Sequence, residues 1–277
     1  MKIIDNGIKI QCTGEISDRT EISAGTEQAL GYSASGVPFR TGAFKPRRPW
    51  RKLSVKEVEA LSINEGDIVD YSNTVTVLKL PEVLTDRLTE LKLDKVLSKF
   101  YFKQHYNRYQ TQFNAAKQLM HLYFSSFNQQ EKEIIASFFS VNDPNLEVTT
   151  KYFEGRQYTG LHIDNWENAS IETAHLAQNR ACINLGTQTR YLLFINQPLC
   201  QLKDRIVEKA GGFHMENTQW HLGQRFFKYY GTYPVVKIAI KPMEAYIAPT
   251  ENMLHDGSTF ESTNPDITFT MRGYFSI

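Results

Sequence analysis

The spacing of apolar residues changes period near Pro144, and that change restricts the fold more than any other feature of the sequence. From Pro81 the spacing is helical. Leu84, Leu88 and Leu91 form one stripe, Leu93, Val96, Leu97 and Phe100 a second, and Phe113, Ala116, Met120, Tyr123 and Phe124 continue it at offsets that stack side chains on one helix face. A further helix is expected from Asn128, whose side chain can cap it while Glu131 reaches back, until Asn142-Asp143-Pro144 stops it. Past Pro144, Leu146, Val148, Thr150 and Tyr152 alternate with Glu147, Thr149 and Lys151, the two-residue period of a strand. Strands are expected near 146–154, 157–164, 180–186, 189–196, 234–241, 243–249 and 266–276, with an irregular or helical insertion at about 197–230. Most of these strands follow one another without a helical crossover, which favours an antiparallel sandwich or barrel over a doubly wound sheet.

The expected class is therefore α+β, with residues 1–277 read as one domain. Residues 1–145 give helical and irregular support and 146–277 the main part of a β core. The first 52 or so residues, rich in Gly, Ser, Thr and Pro, suggest short strands and loops around that core. Lys and Arg number 31 against 30 Asp and Glu, so no global field draws the chain to nucleic acid or an anionic membrane. The one marked charge run, Arg40, Lys45, Arg47, Arg48, Arg51 and Lys52, reads first as a solvated loop, with docking of an anionic substrate or a carrier-borne phosphopantetheine as the alternative. No apolar run approaches the roughly 20 residues of a membrane span, and the amino terminus lacks the apolar stretch of a signal peptide, so a cytoplasmic location is expected. Cys12, Cys182 and Cys200 are too few and too scattered for a disulfide framework or a zinc ribbon, so free thiols are expected.

The chemistry concentrates in Tyr158-Thr159-Gly160-Leu161-His162-Ile163-Asp164. A strand points residues i and i+2 to one face, so the imidazole of His162 and the carboxylate of Asp164 converge. The best third ligand is His255, 91 residues after Asp164 and at the end of another strand. Two histidines and a carboxylate on one triangular face of an octahedron leave three positions open, the arrangement of oxygen-activating non-haem iron(II). A structural zinc site would be closed by four protein ligands instead. His175, His214 and His221 fall in no comparable strand-like pair and read as surface or satisfied histidines. In the last strand, alternation puts Thr268, Thr270, Arg272, Tyr274 and Ser276 on one face. An inward Arg there suits a carboxylate.

On His162-Ile163-Asp164, His255 and Arg272, 17 residues beyond that histidine, the second half of the chain resembles the Fe(II)/2-oxoglutarate-dependent dioxygenases of the clavaminate-synthase-like superfamily. The segments Val235–Pro242 and Glu244–Pro249 look like the two strands leading to the distal histidine. The resemblance implies a double-stranded β-helix (a jelly-roll or cupin-like core), with His162, Asp164 and His255 holding Fe(II) and Arg272 holding the far carboxylate of 2-oxoglutarate. O2 is then the second cosubstrate. The spacing of four from Arg272 to Ser276, where two is common in the family, leaves the assisting hydroxyl open among Thr270, Tyr274 and Ser276 and admits Arg190 or Arg180 as the anchor. Glu244 stands where many members have Gly. Relatives that halogenate have a small residue in place of Asp164, so its presence implies hydroxylation, desaturation or ring formation.

The substrate is expected to be a small molecule, amino-acid-derived or a specialised metabolite, touched by Tyr158 and by the loop residues Asn165, Trp166 and Glu167. Nucleic acid and membrane are not expected partners, and the sequence sets no oligomeric state. Two rival readings are a cupin-like metalloenzyme that uses the same triad without 2-oxoglutarate and a β-sandwich binding protein whose histidines are incidental.

Overall fold

A computed structural model describes residues 2–63, 70–128, 133–152, 156–211 and 219–276. In chain order the strands are β1 (Lys9–Cys12), β2 (Thr20–Ser23), β3 (Thr26–Gln28), β4 (Phe39–Pro46), β5 (Trp50–Lys52), β6 (Thr74–Lys79), β7 (Ala136–Asn142), β8 (Lys151–Tyr152), β9 (Gln157–Gly160), β10 (Asn179–Asn184), β11 (Arg190–Pro198), β12 (Val236–Ile240), β13 (Glu244–Ala248), β14 (Met253–Ser258) and β15 (Asp266–Gly273). The helices are α1 (Val55–Leu61), α2 (Glu82–Thr89), α3 (Lys99–Arg108), α4 (Gln110–Ser125), α5 (Leu199–Ala210) and α6 (Gln219–Tyr230).

Two sheets form the centre, one ordered β1-β6-β13-β10-β15-β7 and the other β14-β11-β12-β2-β5. Alternation decides what each face meets. On the larger sheet Cys182, Tyr246 and Ala248 face inward and pack with Leu192, Phe194, Ile238 and Ile240 of the other sheet. The intervening Ala181, Ile183, Ala245, Ile247, Phe269 and Met271 face a helical layer contributed by Leu84, Leu88, Phe113, Met120 and Phe124. The smaller sheet turns Leu193, Ile195 and Leu254 outward onto Leu202 and Ile206 of α5 and Leu222 and Phe226 of α6. The result is a mixed α+β architecture, sheet on sheet with helices outside. Residues before 145 supply β1, β2, β5, β6 and β7 to these sheets, beside the expected helices.

Three expectations are corrected. Residues 136–142 are not the end of a helix from Asn128 but strand β7, paired antiparallel along the whole of β15 from Asp266↔Asn142 to Arg272↔Ala136; Glu131 lies outside the described residues. The ladder to β15 satisfies backbone groups that the local pattern assigned to a helix. The stripe Leu93–Phe100 is broken because Leu93–Lys95 form only a 3-10 turn, Val96 is extended and Ser98 caps a new helix that begins at Lys99, and Leu97 and Phe100 are exposed. The basic run is not one solvated loop: Arg40 and Lys45 lie in β4, Arg51 and Lys52 in β5 and Arg47 and Arg48 between them, and although Arg48, Arg51 and Lys52 are exposed, Lys45 is 2.7 Å from Glu147 and Arg51 2.7 Å from Glu57.

That last contact belongs to a capping box on α1. Glu57 accepts from the Ser54 amide and hydroxyl, both at 2.9 Å, and from both Arg51 terminal nitrogens. The Arg51 bond outweighs burial and holds the Glu57 carboxyl down at about 2. A carboxyl depressed on folding stabilises above its unfolded value and loses that contribution as pH falls toward the folded one. Glu57→Gln is expected to cost about 1–2 kcal/mol at pH 7. In denaturant titrations the gap from wild type should narrow as pH is lowered from about 4.5 toward 2.

Candidate metal centre

His162, Asp164 and His255 each offer one ligand atom, and the three atoms lie within 4.8 Å of one another. The backbone makes this possible. The His162 amide donates to the His255 carbonyl at 3.0 Å and the His255 amide returns the bond at 2.8 Å, so the segment after β9 runs beside β14 and brings the imidazoles together. The ring centroids are 4.7 Å apart. The Asp164 amide is fixed by the Thr250 carbonyl at 3.1 Å. Gly160 has φ +73°, and a Cβ there would stand 2.3 Å from the Phe44 carbonyl oxygen; only glycine lets β9 lie this close to β4 and turn.

Each imidazole shows one nitrogen to a carbonyl: Nδ1 of His162 is 2.9 Å from Gly160 O and Nδ1 of His255 is 3.3 Å from Met253 O. A carbonyl only accepts, so Nδ1 carries the hydrogen and Nε2 presents its lone pair, the tautomer a metal ligand needs. Burial pushes His255 down to about 3 and so keeps it neutral. At His162 burial acts in the same sense, but Asp164 and Asp256 outweigh it and the net shift is upward. Burial opposes ionisation of Asp164 too, yet Arg180, His255 and His162 together hold its carboxyl well below the usual carboxylate range. Nε2 of His255 is buried with no hydrogen-bond partner, 3.7 Å from Oδ2 of Asp164. Buried polar atoms are normally satisfied, and an orphaned imidazole nitrogen facing a carboxylate, with the Nε2 of a second histidine 3.6 Å from Asp164 Oδ1, is what a missing cation would leave. The donor set fits a divalent metal with open positions.

Three arginines, Arg190 and Arg272 buried and Arg180 mostly so, surround the interior, each beside a carboxylate. Arg180, on β10, places Nη2 2.6 Å from Asp164 Oδ2. Arg190, on β11, places Nε 3.0 Å from Asp266 and donates from Nη1 to Cys182 Sγ at 3.4 Å. Its other terminal nitrogen lies against Gly257, where a Cβ would be 2.8 Å away. Arg272 is turned onto Glu251 and lies 4.9 Å from the centre of the Trp166 ring. Burial lowers the Arg272 guanidinium and raises the Glu251 carboxyl, each moved toward its neutral form.

The other expected residues divide. Thr270 faces inward, with its hydroxyl 3.6 Å from Cys182 Sγ. Tyr274 donates from its hydroxyl to Glu167 at 3.1 Å, and the Glu167 amide donates to Glu251, so the loop carrying exposed Asn165, Trp166 and Glu167 is tied to the Arg272 end of the site. Ser276 does not share that face: β15 ends at Gly273, and the Ser276 amide binds the Phe127 carbonyl at the end of α4. Tyr158, expected to touch the substrate, is instead fully buried in the cluster under α5 and α6, with its hydroxyl 3.2 Å from Ser35. His175 is exposed on a 3-10 turn, His221 is exposed on α6, and His214 lies outside the described residues. Glu251 and Asp256 were not singled out in the sequence. Their signal was proximity to His255, at four residues and one.

No protein-family model matches the sequence, and no curated protein does. Among solved structures the chain is similar to the apo structure of the Kdo hydroxylase KdoO, a non-heme Fe(II) alphaketoglutarate dependent dioxygenase, at 12% identity over 73% of this chain and 80% of that one, TM-score 0.35. It is also similar to an N-substituted L-amino acid dioxygenase from Burkholderia ambifaria AMMD in complex with alpha-KG, at 11% identity over 72% and 85%, TM-score 0.31. At such TM-scores the likeness is one of partial outline. The functional reading rests on the triad.

Proposed function

We propose that the chain is a non-haem iron(II), 2-oxoglutarate-dependent oxygenase of a small organic substrate, built on a double-stranded β-helix. The observation that carries this is the His162–Asp164–His255 cluster, whose three ligand atoms converge and whose buried His255 Nε2 has no hydrogen-bond partner. Strand order supports the architecture: β7-β15-β10-β13 on one sheet and β14-β11-β12 on the other, with the His162–His255 bridge extending the second. The chain thus winds between facing sheets as a β-helix does.

Iron(II) bound there supplies activation of O2, coupled to conversion of 2-oxoglutarate to succinate and CO2 with one oxygen atom left for the substrate. The chain's own residues do the rest. Gly160 and Met253 carbonyls orient the imidazoles, and Arg180 keeps Asp164 ionised. The pairs Asp164–Arg180, Asp266–Arg190 and Glu251–Arg272 balance in charge among themselves. A bound dication then adds two buried positive charges, which a dianion such as 2-oxoglutarate cancels.

For the distal carboxylate, the geometry favours Arg190 over Arg272. Arg190 lies over Gly257, two residues from His255 on the same strand, a separation of roughly 6.6–6.8 Å that suits a five-carbon diacid. Thr270 and Cys182 line the same space, which leaves Thr270 as the assisting hydroxyl. Anaerobic titration of the metal-free protein with iron(II), then 2-oxoglutarate, is expected to give one iron per chain and a weak visible charge-transfer band. Iron without the band, and no succinate, would favour a cosubstrate-free use of the triad.

A further inference from the structure

We propose that strand β7 is a self-association edge, at which two copies of this chain join their six-stranded sheets antiparallel about a two-fold axis. The ends of the sheets differ in how they are finished. β1 is four residues long and Ser62 bridges to Ile10 on it, β5 is Trp50-Arg51-Lys52, the His162–His255 bridge lies along β14, and β3 and β8, three and two residues long, carry Glu27 and Lys151. Short length, charge and cover are the devices that keep the unpaired amides and carbonyls of an edge from recruiting another chain. β7 has none of them. It runs seven residues along β15, and among the described residues no strand pairs with its other side. From Ile134 to Asn142 there is neither a charge nor a proline.

These features select the occupant. An open edge takes an extended backbone, and an uncharged one sets no like charges against each other when it meets its own copy antiparallel. The surface beside it is apolar: Ile135 and Phe138 at the strand, and Phe100 and Tyr101 on α3, are between 38% and 68% exposed. α3 packs over β7, where Phe102 and Tyr106 lie against Phe139, so joining β7 to its copy brings the two α3 helices side by side on one face of the continuous sheet. At about 200 Å² for a whole side chain of this size, the four residues offer about 400 Å² of apolar surface per copy. That is the larger part of the roughly 600 Å² per partner at which specific interfaces begin, before the strand edges themselves are counted.

The test is sedimentation equilibrium of the full chain, joined to hydrogen exchange at the same concentrations. The mass is expected to double as the chain is concentrated from about 1 to 100 µM and to stop there, because a two-fold contact uses up the edge it is built on. Over the same range the amides of 134–142 should gain protection while those of β1 do not. Phe138→Lys and Ile135→Lys should each weaken association by about tenfold or more. Val55→Lys, on α1 against β1 at the opposite end of the sheet, should leave it unchanged. A chain that stays monomeric throughout overturns the proposal, whether the edge is idle or takes a strand of another protein. So do a dimer whose β7 amides exchange at a rate independent of concentration, a dimer indifferent to both lysine variants, and a mass that keeps climbing. The exchange measurement is made on wild type, so it decides even where a lysine variant fails to fold.

Discussion

His255→Ala is expected to abolish stoichiometric iron(II) binding and turnover while leaving the fold intact. With one of three ligands gone, a two-point site remains, and the loss of affinity should exceed the ten- to hundredfold that follows removal of a partner which merely orients a ligand. The Nε2 of His255 has no hydrogen-bond partner, so truncation removes only the long Nδ1 bond to the Met253 carbonyl and strands no charge. Asp164→Ala should differ. It leaves Arg180, mostly buried and 2.6 Å from the carboxylate it pairs with, without a counter-charge, and breaking such a buried pair costs about 3–5 kcal/mol. Chemical denaturation of the two metal-free variants should therefore separate them, Asp164→Ala being the less stable, while iron titration finds both defective. His175→Ala should bind iron as wild type does; loss of metal in that variant, with iron retained by His255→Ala, would move the site to the other histidine.

The parts of this site that were legible in the sequence are those set by local alternation. His162 and Asp164 share a face because they are two residues apart, and β10, β11, β12, β13 and β15 fall within a few residues of the expected spans because each buries alternate apolar side chains. What alternation does not carry is the partner. The segment Ile134-Ile135-Ala136-Ser137-Phe138-Phe139 offers apolar residues at offsets of three and four, as a helix would, and becomes β7 only because the edge of β15 is open to it. Gly160 carries no sign in the sequence of its positive φ, which ends β9 two residues before His162. Arg272 was placed on the correct face of its strand. The sequence held no sign that Glu251, in the turn between β13 and β14, would meet it.

The choice among the arginines yields the second large effect. Arg190→Gln is expected to raise the 2-oxoglutarate concentration needed for succinate formation by roughly ten- to a hundredfold, since a charged hydrogen bond in a desolvated site is worth about 1.5–3 kcal/mol. Iron affinity should barely move, because Arg190 touches Cys182 and Asp266 and none of the three ligands, although the variant loses stability too, since buried Asp266 is left without its cation. Arg272→Gln removes the partner of a buried carboxylate, Glu251, and a cation lying over Trp166. It should therefore act on stability and on the loop carrying Asn165, Trp166 and Glu167, with a smaller change in 2-oxoglutarate affinity. The contrast is read by titrating 2-oxoglutarate anaerobically into each iron-loaded variant, after circular dichroism has shown both to be folded. A large defect confined to Arg272→Gln would return the anchor to the last strand and imply that Glu251 releases it when the cosubstrate arrives. The sharper readout is chain length: oxaloacetate and 2-oxoadipate, one carbon shorter and one longer, should lose affinity in wild type and be nearly indistinguishable from 2-oxoglutarate in Arg190→Gln, because only an anchor at fixed distance from the metal measures the length of a diacid.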